Sequence, residues 1–82
     1  MSRYELFHKI ADAECASVRR KISELGLKAA FDFRNVDTGE TAAPDLVMRG
    51  GNPDQVPVVW DGRELFVGRA AIETLLARLP QP

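Results

Sequence analysis

The sequence predicts an α/β fold whose elements follow the order β-α-β-α-β-β-α. Three observations indicate this order. An apolar stripe with helical spacing follows a short strand candidate, a strand with alternating aromatic residues comes next, and a hairpin pattern precedes a final apolar helix. A strand, a helix and a second strand of these lengths favour a right-handed parallel crossover. Because the hairpin adds an antiparallel pair, we expect a four-stranded mixed sheet with helices on both faces.

The first strand and the first helix are predicted within residues 4–25. Residues 4–7 (YELF) form a short strand candidate with aromatic content. Asp12 is a suitable N-cap, because its carboxylate can accept a hydrogen bond from an unpaired backbone N–H. Apolar residues then recur at steps of three and four along one helix face, at Cys15, Val18, Ile22 and Leu25. Gly26 is expected just beyond the helix end, where glycine is favoured.

The middle of the chain predicts a second strand and a short helix. Within residues 30–36, Phe31 and Phe33 share one face of the strand, and charged residues take the other face. Residues 37–39 (DTG) have the composition of a turn. Residues 44–50 suit a short helix, because a proline at its start and a glycine after its end match the preferences of helix termini.

The last part of the chain predicts a hairpin and a helix. Val58–Trp60 and residues 63–67 are the paired strands, and Asp61-Gly62 is expected to form a two-residue turn with positive φ values. Gly68 opens the last helix. The apolar stripe of this helix is Ile72, Leu75, Leu76 and Leu79. The next residue is a proline, which ends the helix.

Composition limits the classes of function. The 82 residues are expected to form a single domain over residues 1–82. Eleven basic and twelve acidic residues give a net charge of −1, which argues against a nucleic-acid partner. The basic cluster Arg19-Arg20-Lys21 is expected on a solvated helix face. No apolar run is long enough for a membrane span and no signal peptide is evident, so neither a membrane partner nor a compartment other than the cytoplasm is expected.

The chain contains one cysteine and one histidine. One cysteine cannot form an internal disulfide or a cysteine-rich zinc site, and no structural metal site is expected. The histidine, His8, lies at a strand end without a serine or cysteine partner at a recognisable spacing. A structural role is therefore expected for it rather than a catalytic one.

Four local segments carry a family resemblance. The end of the first strand runs through Lys9 into Asp12-Ala13-Glu14-Cys15 and the first helix. Gln55-Val56-Pro57 precedes the hairpin, Asp61-Gly62 turns it, and Val67-Gly68-Arg69 leads into the last helix. In this order and spacing, the segments resemble the thioredoxin fold, and more narrowly glutaredoxins and the N-terminal domain of glutathione transferases. The resemblance covers nearly the whole chain.

The resemblance implies roles for several residues. Lys9 matches a family lysine that helps to hold glutathione. Cys15 falls on the second cysteine of the glutaredoxin motif Cys-Pro-Tyr-Cys, and Asp12 falls on the first. Pro57 matches a family proline that follows a cis peptide bond. In these families, the residue before that proline, here Val56, offers its backbone N–H and C=O to a peptide-like thiol.

The segment at Gly68 departs from the family pattern. Glutaredoxins carry Gly-Gly and a nearby acidic residue there, and glutathione transferases carry Glu-Ser, but this chain continues with Arg69. Lys9 and Arg69 would flank the groove and could hold a carboxylate, and the alternative is that each is an ordinary surface cation. Glutathione is the ligand that the resemblance implies, and no bound cofactor is expected.

Cys15 leaves two interpretations open. A thiol near a helix N-terminus can have a lowered pKa, and Lys9 could add to this effect. Against this, Asp12 and Glu14 place negative charge beside the thiol, and Cys15 lies on the stripe that faces the core. Asp12 itself could cap the helix or line a binding groove, but a carboxylate cannot attack a disulfide.

Two functions follow from these interpretations. The first is a redox-impaired module that binds a thiol, a peptide or a protein partner at Val56-Pro57. The second is a one-cysteine, glutathione-dependent thiol–disulfide oxidoreductase that uses Cys15. Glutathione transferase activity is the weakest hypothesis, because those enzymes need an additional helical domain.

Overall fold

The computed structural model describes residues 3–82, so Met1 and Ser2 of the predicted domain lie outside the described part. The described elements are β1 (Tyr4–His8), α1 (Ala13–Glu24), β2 (Phe31–Asn35), α2 (Ala42–Met48), β3 (Val58–Trp60), β4 (Leu65–Val67) and α3 (Arg69–Arg78). They follow the predicted order. None of these helices is long and apolar enough to cross a membrane.

The four strands form one mixed sheet in the order β2-β1-β3-β4. β1 pairs with β2 in parallel, and Tyr4 lies opposite Phe31. β1 pairs with β3 in the antiparallel sense, and β3 pairs with β4 in the same sense. The prediction of a four-stranded mixed sheet is therefore confirmed, with β1 and β3 as the central strands.

The two faces of the sheet bury two separate apolar clusters. The alternation of side chains along β1 sends Leu6 into one cluster and Phe7 into the other. The larger cluster contains the buried stripes of α1 and α3, including Val18 and Ile72. The smaller cluster contains Leu46 of α2. The first and last helices therefore cover one face of the sheet, and α2 covers the other.

Several element bounds differ from the prediction. β1 extends one residue further, to His8, and β2 is one residue shorter at each end. Lys28–Ala30 form an unpredicted turn of 3-10 helix, in which the Ala30 N–H donates to the carbonyl of Leu27. α2 begins at Ala42, two residues before the predicted start. A proline at the third helical position is tolerated, because the N–H groups of the first turn have no partner within the helix.

The hairpin between β3 and β4 has a longer connection than predicted. Trp60 pairs with Leu65, so residues 61–64 form a four-residue connection instead of a two-residue turn. The side chain of Asp61 accepts hydrogen bonds from the N–H groups of Arg63 and Glu64, each at 2.8 Å. These bonds stabilise the longer turn, and a positive φ is needed at Gly62 alone.

Gly51 follows α2 at a point where the backbone passes close to the smaller cluster. A Cβ atom added there would lie 2.8 Å from Cγ of the buried Leu46 and 3.2 Å from Cδ1 of Leu65. We expect Gly51→Ala to lower the free energy of unfolding by about 1–3 kcal/mol, because this space is already filled. Urea denaturation measures the loss, and NMR should show the Leu46 methyl signals shifting.

The neighbouring Gly50 provides the control for this substitution. A Cβ atom added at Gly50 meets no heavy atom within 4 Å, although the residue has a φ of +91°. Gly50→Ala should therefore cost only backbone strain, about 1 kcal/mol, and leave the Leu46 methyl signals in place. Unchanged Leu46 signals in Gly51→Ala would show that the steric explanation is wrong.

Candidate functional site

Three strand ends meet at one end of the sheet, which we call the site edge. It is formed by the ends of strands and not by an outer strand. Phe7 lies opposite Val58, and Val58 lies opposite Val67. In the antiparallel pairs, the end of β1 and the end of β4 therefore flank the start of β3. The Gly68 N–H donates to the carbonyl of Pro57 at 2.9 Å. The structure thus brings the segments containing Lys9, Val56-Pro57 and Gly68 to the same edge.

Asp12 caps the N-terminus of α1 beside the site edge. Its Oδ1 accepts a hydrogen bond from the backbone N–H of Cys15 at 2.8 Å. This bond, supported by smaller contributions from other N–H groups and from Lys9, lowers the pKa of the Asp12 carboxyl. The predicted role of Asp12 as the N-cap is confirmed, and its carboxylate is oriented toward the helix backbone.

Two substitutions at Asp12 separate the cap from the charge. Asp12→Ala should lower the urea midpoint of unfolding because the helix loses its side-chain acceptor, whereas Asp12→Asn should largely retain it, since asparagine is an equally good N-cap. The pKa of Asp12 is lower in the folded chain than its ordinary value of 3.8, so the unfolded chain takes up the proton first as the pH falls. Acidification should therefore lower the stability of the natural protein through protonation of Asp12. The Asp12→Asn variant should not show this part of the loss, because asparagine does not titrate. Equal urea midpoints for the two variants at neutral pH would contradict the capping role.

Cys15 is turned away from solvent. Its side chain is 0% exposed and lies on the inward face of α1 with Val18 and Ile22. The sulfur accepts a weak hydrogen bond from the backbone N–H of Lys9, with an N–Sγ distance of 3.4 Å. Burial is the largest influence on the thiol and raises its pKa from 9.0. The thiolate form, which carries nucleophilic reactivity, is therefore disfavoured at neutral pH.

The two predicted cationic residues have acidic neighbours. The Lys9 ammonium lies 4.0 Å from the exposed carboxylate of Asp54. Arg69 is the first residue of α3, and its guanidinium lies 3.6 Å from Glu14 and 3.4 Å from Glu73. Arg69 therefore joins the start of α3 to the first turn of α1. Its guanidinium therefore already contacts two carboxylates, with which the carboxylate of a ligand would compete.

The backbone N–H and C=O of Val56 have no partner among residues 3–82. Val56 precedes β3, and its peptide bond to Pro57 is cis. Val56 is half-buried, and its unpaired N–H and C=O are a donor and an acceptor that a strand-like ligand can use.

Arg19 lies next to the site edge, in contact with His8. The sequence pattern did not indicate this position for Arg19. Arg19 was expected on a solvated helix face, but it is half-buried and bonds to His8 and to the carbonyls of Lys9 and Ile10. That expectation is wrong for Arg19. The acceptors are backbone and ring atoms 9–11 residues earlier in the chain, and no local pattern of side chains reveals them.

The groups that the structure brings to the site edge offer hydrogen bonds and charge. Over the described range, 3–82, no group of three His, Cys, Asp or Glu side chains is arranged to hold a metal ion. No protein-family model matches the chain, and a search of curated proteins finds no match either.

Proposed function

We propose that the chain is a thioredoxin-like domain of the glutaredoxin type that has lost disulfide exchange and binds a thiol, a peptide or a protein partner along Val56-Pro57. The element order and the sheet order β2-β1-β3-β4 support the fold. The placement of α1 and α3 on one face of the sheet, with α2 on the other, supports it further.

The loss of redox activity is supported by the burial of Cys15. Disulfide exchange requires a thiolate that reaches the sulfur of its target along an open path. The sulfur of Cys15 is enclosed, and its pKa is raised. At the position that the resemblance gives to the attacking cysteine, Asp12 has a carboxylate committed to the helix cap. This burial is the observation that carries the proposal.

Binding is supported by the unpaired backbone groups of Val56. An extended ligand can accept from its N–H and donate to its C=O, as an added strand does at a sheet edge. Backbone hydrogen bonds to Val56 do not distinguish one ligand sequence from another, so side chains around the site edge must select the ligand. Lys9 is the better placed of the two cations to meet a ligand carboxylate, because its ammonium lies 4.0 Å from the exposed Asp54, whereas Arg69 is held between Glu14 and Glu73.

The one-cysteine oxidoreductase stays an alternative prediction. It depends on a reactive Cys15 at the start of α1. The enclosed sulfur and its raised pKa give this alternative no support.

An NMR titration of the labelled protein with reduced glutathione, and separately with a short cysteine-free peptide, tests the binding. We expect amide shifts at Val56 and Gly68 with either probe. Lys9→Gln should weaken the binding of glutathione, which has two carboxylates, more than that of a neutral peptide. If neither probe shifts these amides at millimolar concentration, the binding proposal fails.

An activity assay tests the redox part separately. The purified protein is mixed with reduced glutathione, as the reductant, and with the mixed disulfide that glutathione forms with a small thiol, and release of the small thiol is followed. We expect no turnover above the uncatalysed rate. Turnover that disappears in Cys15→Ser would support the one-cysteine alternative instead.

A further inference from the structure

Arg19 ties the first helix to the end of the first strand. Its Nη1 donates to the carbonyl of Lys9 at 3.1 Å, and its Nη2 donates to the carbonyl of Ile10 at 3.3 Å. The same Nη1 lies 2.9 Å from Nδ1 of His8. The fork of one guanidinium therefore holds three consecutive residues where the chain leaves the site edge and turns toward α1.

His8 makes the one contact of the three that protonation can remove. The residue is only 4% exposed, and its ring packs edge-on against Phe33 with the ring centroids 5.7 Å apart. The guanidinium of Arg19 has donors but no acceptor, so Nδ1 must be the accepting nitrogen. Neutral His8 therefore carries its ring proton on Nε2.

We infer that His8 and Arg19 form a proton-operated latch on residues 9–12. A proton that binds Nδ1 occupies the lone pair facing Arg19 and makes the ring a cation beside a guanidinium. The lost hydrogen bond and the repulsion together move Arg19 away from its partners. The carbonyls of Lys9 and Ile10 then lose the donors that Arg19 supplies, and residues 9–12 open while the strands stay paired.

The groups around the ring set the pH range of the latch. Arg19 is the charged group that faces His8 from α1, and Lys9 is its neighbour along the chain. From β2, the ring meets Phe33 and the backbone meets Asn35, and neither of these residues titrates. Burial, and after it the charge of Arg19, lowers the pKa of His8 from 6.5. The latch is therefore closed at neutral pH and opens on the acid side of 6.5.

Opening changes the surroundings of the site edge. The N–H of Lys9 donates to the sulfur of Cys15, so movement of residues 9–12 uncovers one side of the thiol and displaces Lys9. The effect on a bound ligand rests on the proposed function. The latch itself does not, because it needs only the contacts of His8 and Arg19.

A pH titration of the labelled full chain, followed by NMR without any ligand, tests the latch independently of the proposed function. Between about pH 7.5 and pH 4.5 the ring signal of His8 should titrate with a midpoint below its ordinary value. The amide signals of Lys9 and Asp12 should shift with the same midpoint. The Lys9 amide donates to Cys15 Sγ, and the Asp12 amide donates to the Lys9 carbonyl. Below the midpoint, the hydrogen exchange of both amides, corrected for intrinsic rates, should be about tenfold faster.

Two variants separate the latch from other causes of a pH response. His8→Gln keeps a side-chain acceptor that does not titrate, so exchange at Lys9 and Asp12 should stay slow throughout the pH range. Arg19→Lys keeps the charge but loses the fork, so exchange there should be fast at neutral pH as well.

Three outcomes would overturn the latch. One is a titration of His8 that leaves the two amides unchanged. Another is a pH response that persists in His8→Gln. If His8→Gln does not fold, Arg19→Lys decides alone, and slow exchange of both amides in that variant at neutral pH would rule out the latch.

Discussion

Alkylation of Cys15 will be at least about 100-fold slower in the folded protein than in the urea-unfolded chain. The sulfur is 0% exposed, so a reagent reaches it only when the start of α1 opens. An opening free energy of about 3 kcal/mol is enough for this factor, and buried segments of small domains commonly exceed it. The raised pKa of the thiol slows the reaction further, because less thiolate is present at a given pH. Labelling with iodoacetamide at constant pH, with and without urea, measures the ratio.

Ala16→Cys provides a matched control for this measurement. Ala16 is the next residue of α1, and it is exposed. The variant contains two thiols on the same helix, one at the surface and one in the core. We expect one thiol to react at the rate of a free cysteine and the other to remain protected until the chain unfolds. Rapid labelling of Cys15 in the natural protein would remove the main support for a redox-impaired domain.

The features of α1 that sequence could predict are local. A carboxylate three residues before the first apolar position of a helix is a good N-cap wherever the helix packs, and Asp12 takes that role. The spacing of Cys15, Val18 and Ile22 places them on one face, and that face must be buried if the helix packs on a sheet at all. The inward direction of the thiol followed from the same spacing.

The charged contacts could not be predicted because they join residues that are distant in sequence. Arg69 reaches Glu14 across 55 positions, and Glu5 meets Arg49 across 44. These partners depend on the register of the sheet and on how each helix crosses it. Many arrangements of the same charges are compatible with the same hydrophobic pattern. The four-residue hairpin connection was not predicted for a different reason. The pair Asp61-Gly62 is compatible with a two-residue turn, but the Asp61 side chain stabilises the longer connection by accepting from two backbone N–H groups.

Glu5→Gln will cause a large loss of stability, about 1.5–3 kcal/mol, although Glu5 lies on a strand and has no role at the site edge. One carboxylate oxygen accepts from Arg34 of β2, and the other accepts from Arg49 at 2.8 Å. The two guanidinium groups lie over the ring of Phe7, 5.4 and 5.8 Å from its centroid. Glu5 is 20% exposed in its side chain, so the cluster is only partly hydrated.

The physical reason for this loss is that glutamine has one acceptor for two donors. Its NH₂ group would face one of the arginines, and hydrogen bonds to charged groups contribute about 1.5–3 kcal/mol. Asp45 still accepts from Arg34 at 2.7 Å, so Arg49 at the end of α2 is the partner that loses most. We expect the melting temperature to fall by about 10 °C, as calorimetry can measure.

Glu24→Gln makes the same chemical change at an exposed position at the end of α1, and it should alter stability by no more than about 0.5 kcal/mol. A double-mutant cycle then tests the contact directly. Arg49→Gln should cost less in the Glu5→Gln background than in the natural protein, because the carboxylate that it meets is already gone. Additive effects of the two substitutions would show that Glu5 stabilises the fold without this pair. The contact of Glu5 on β1 with Arg49 at the end of α2 would then not be the source of the stability.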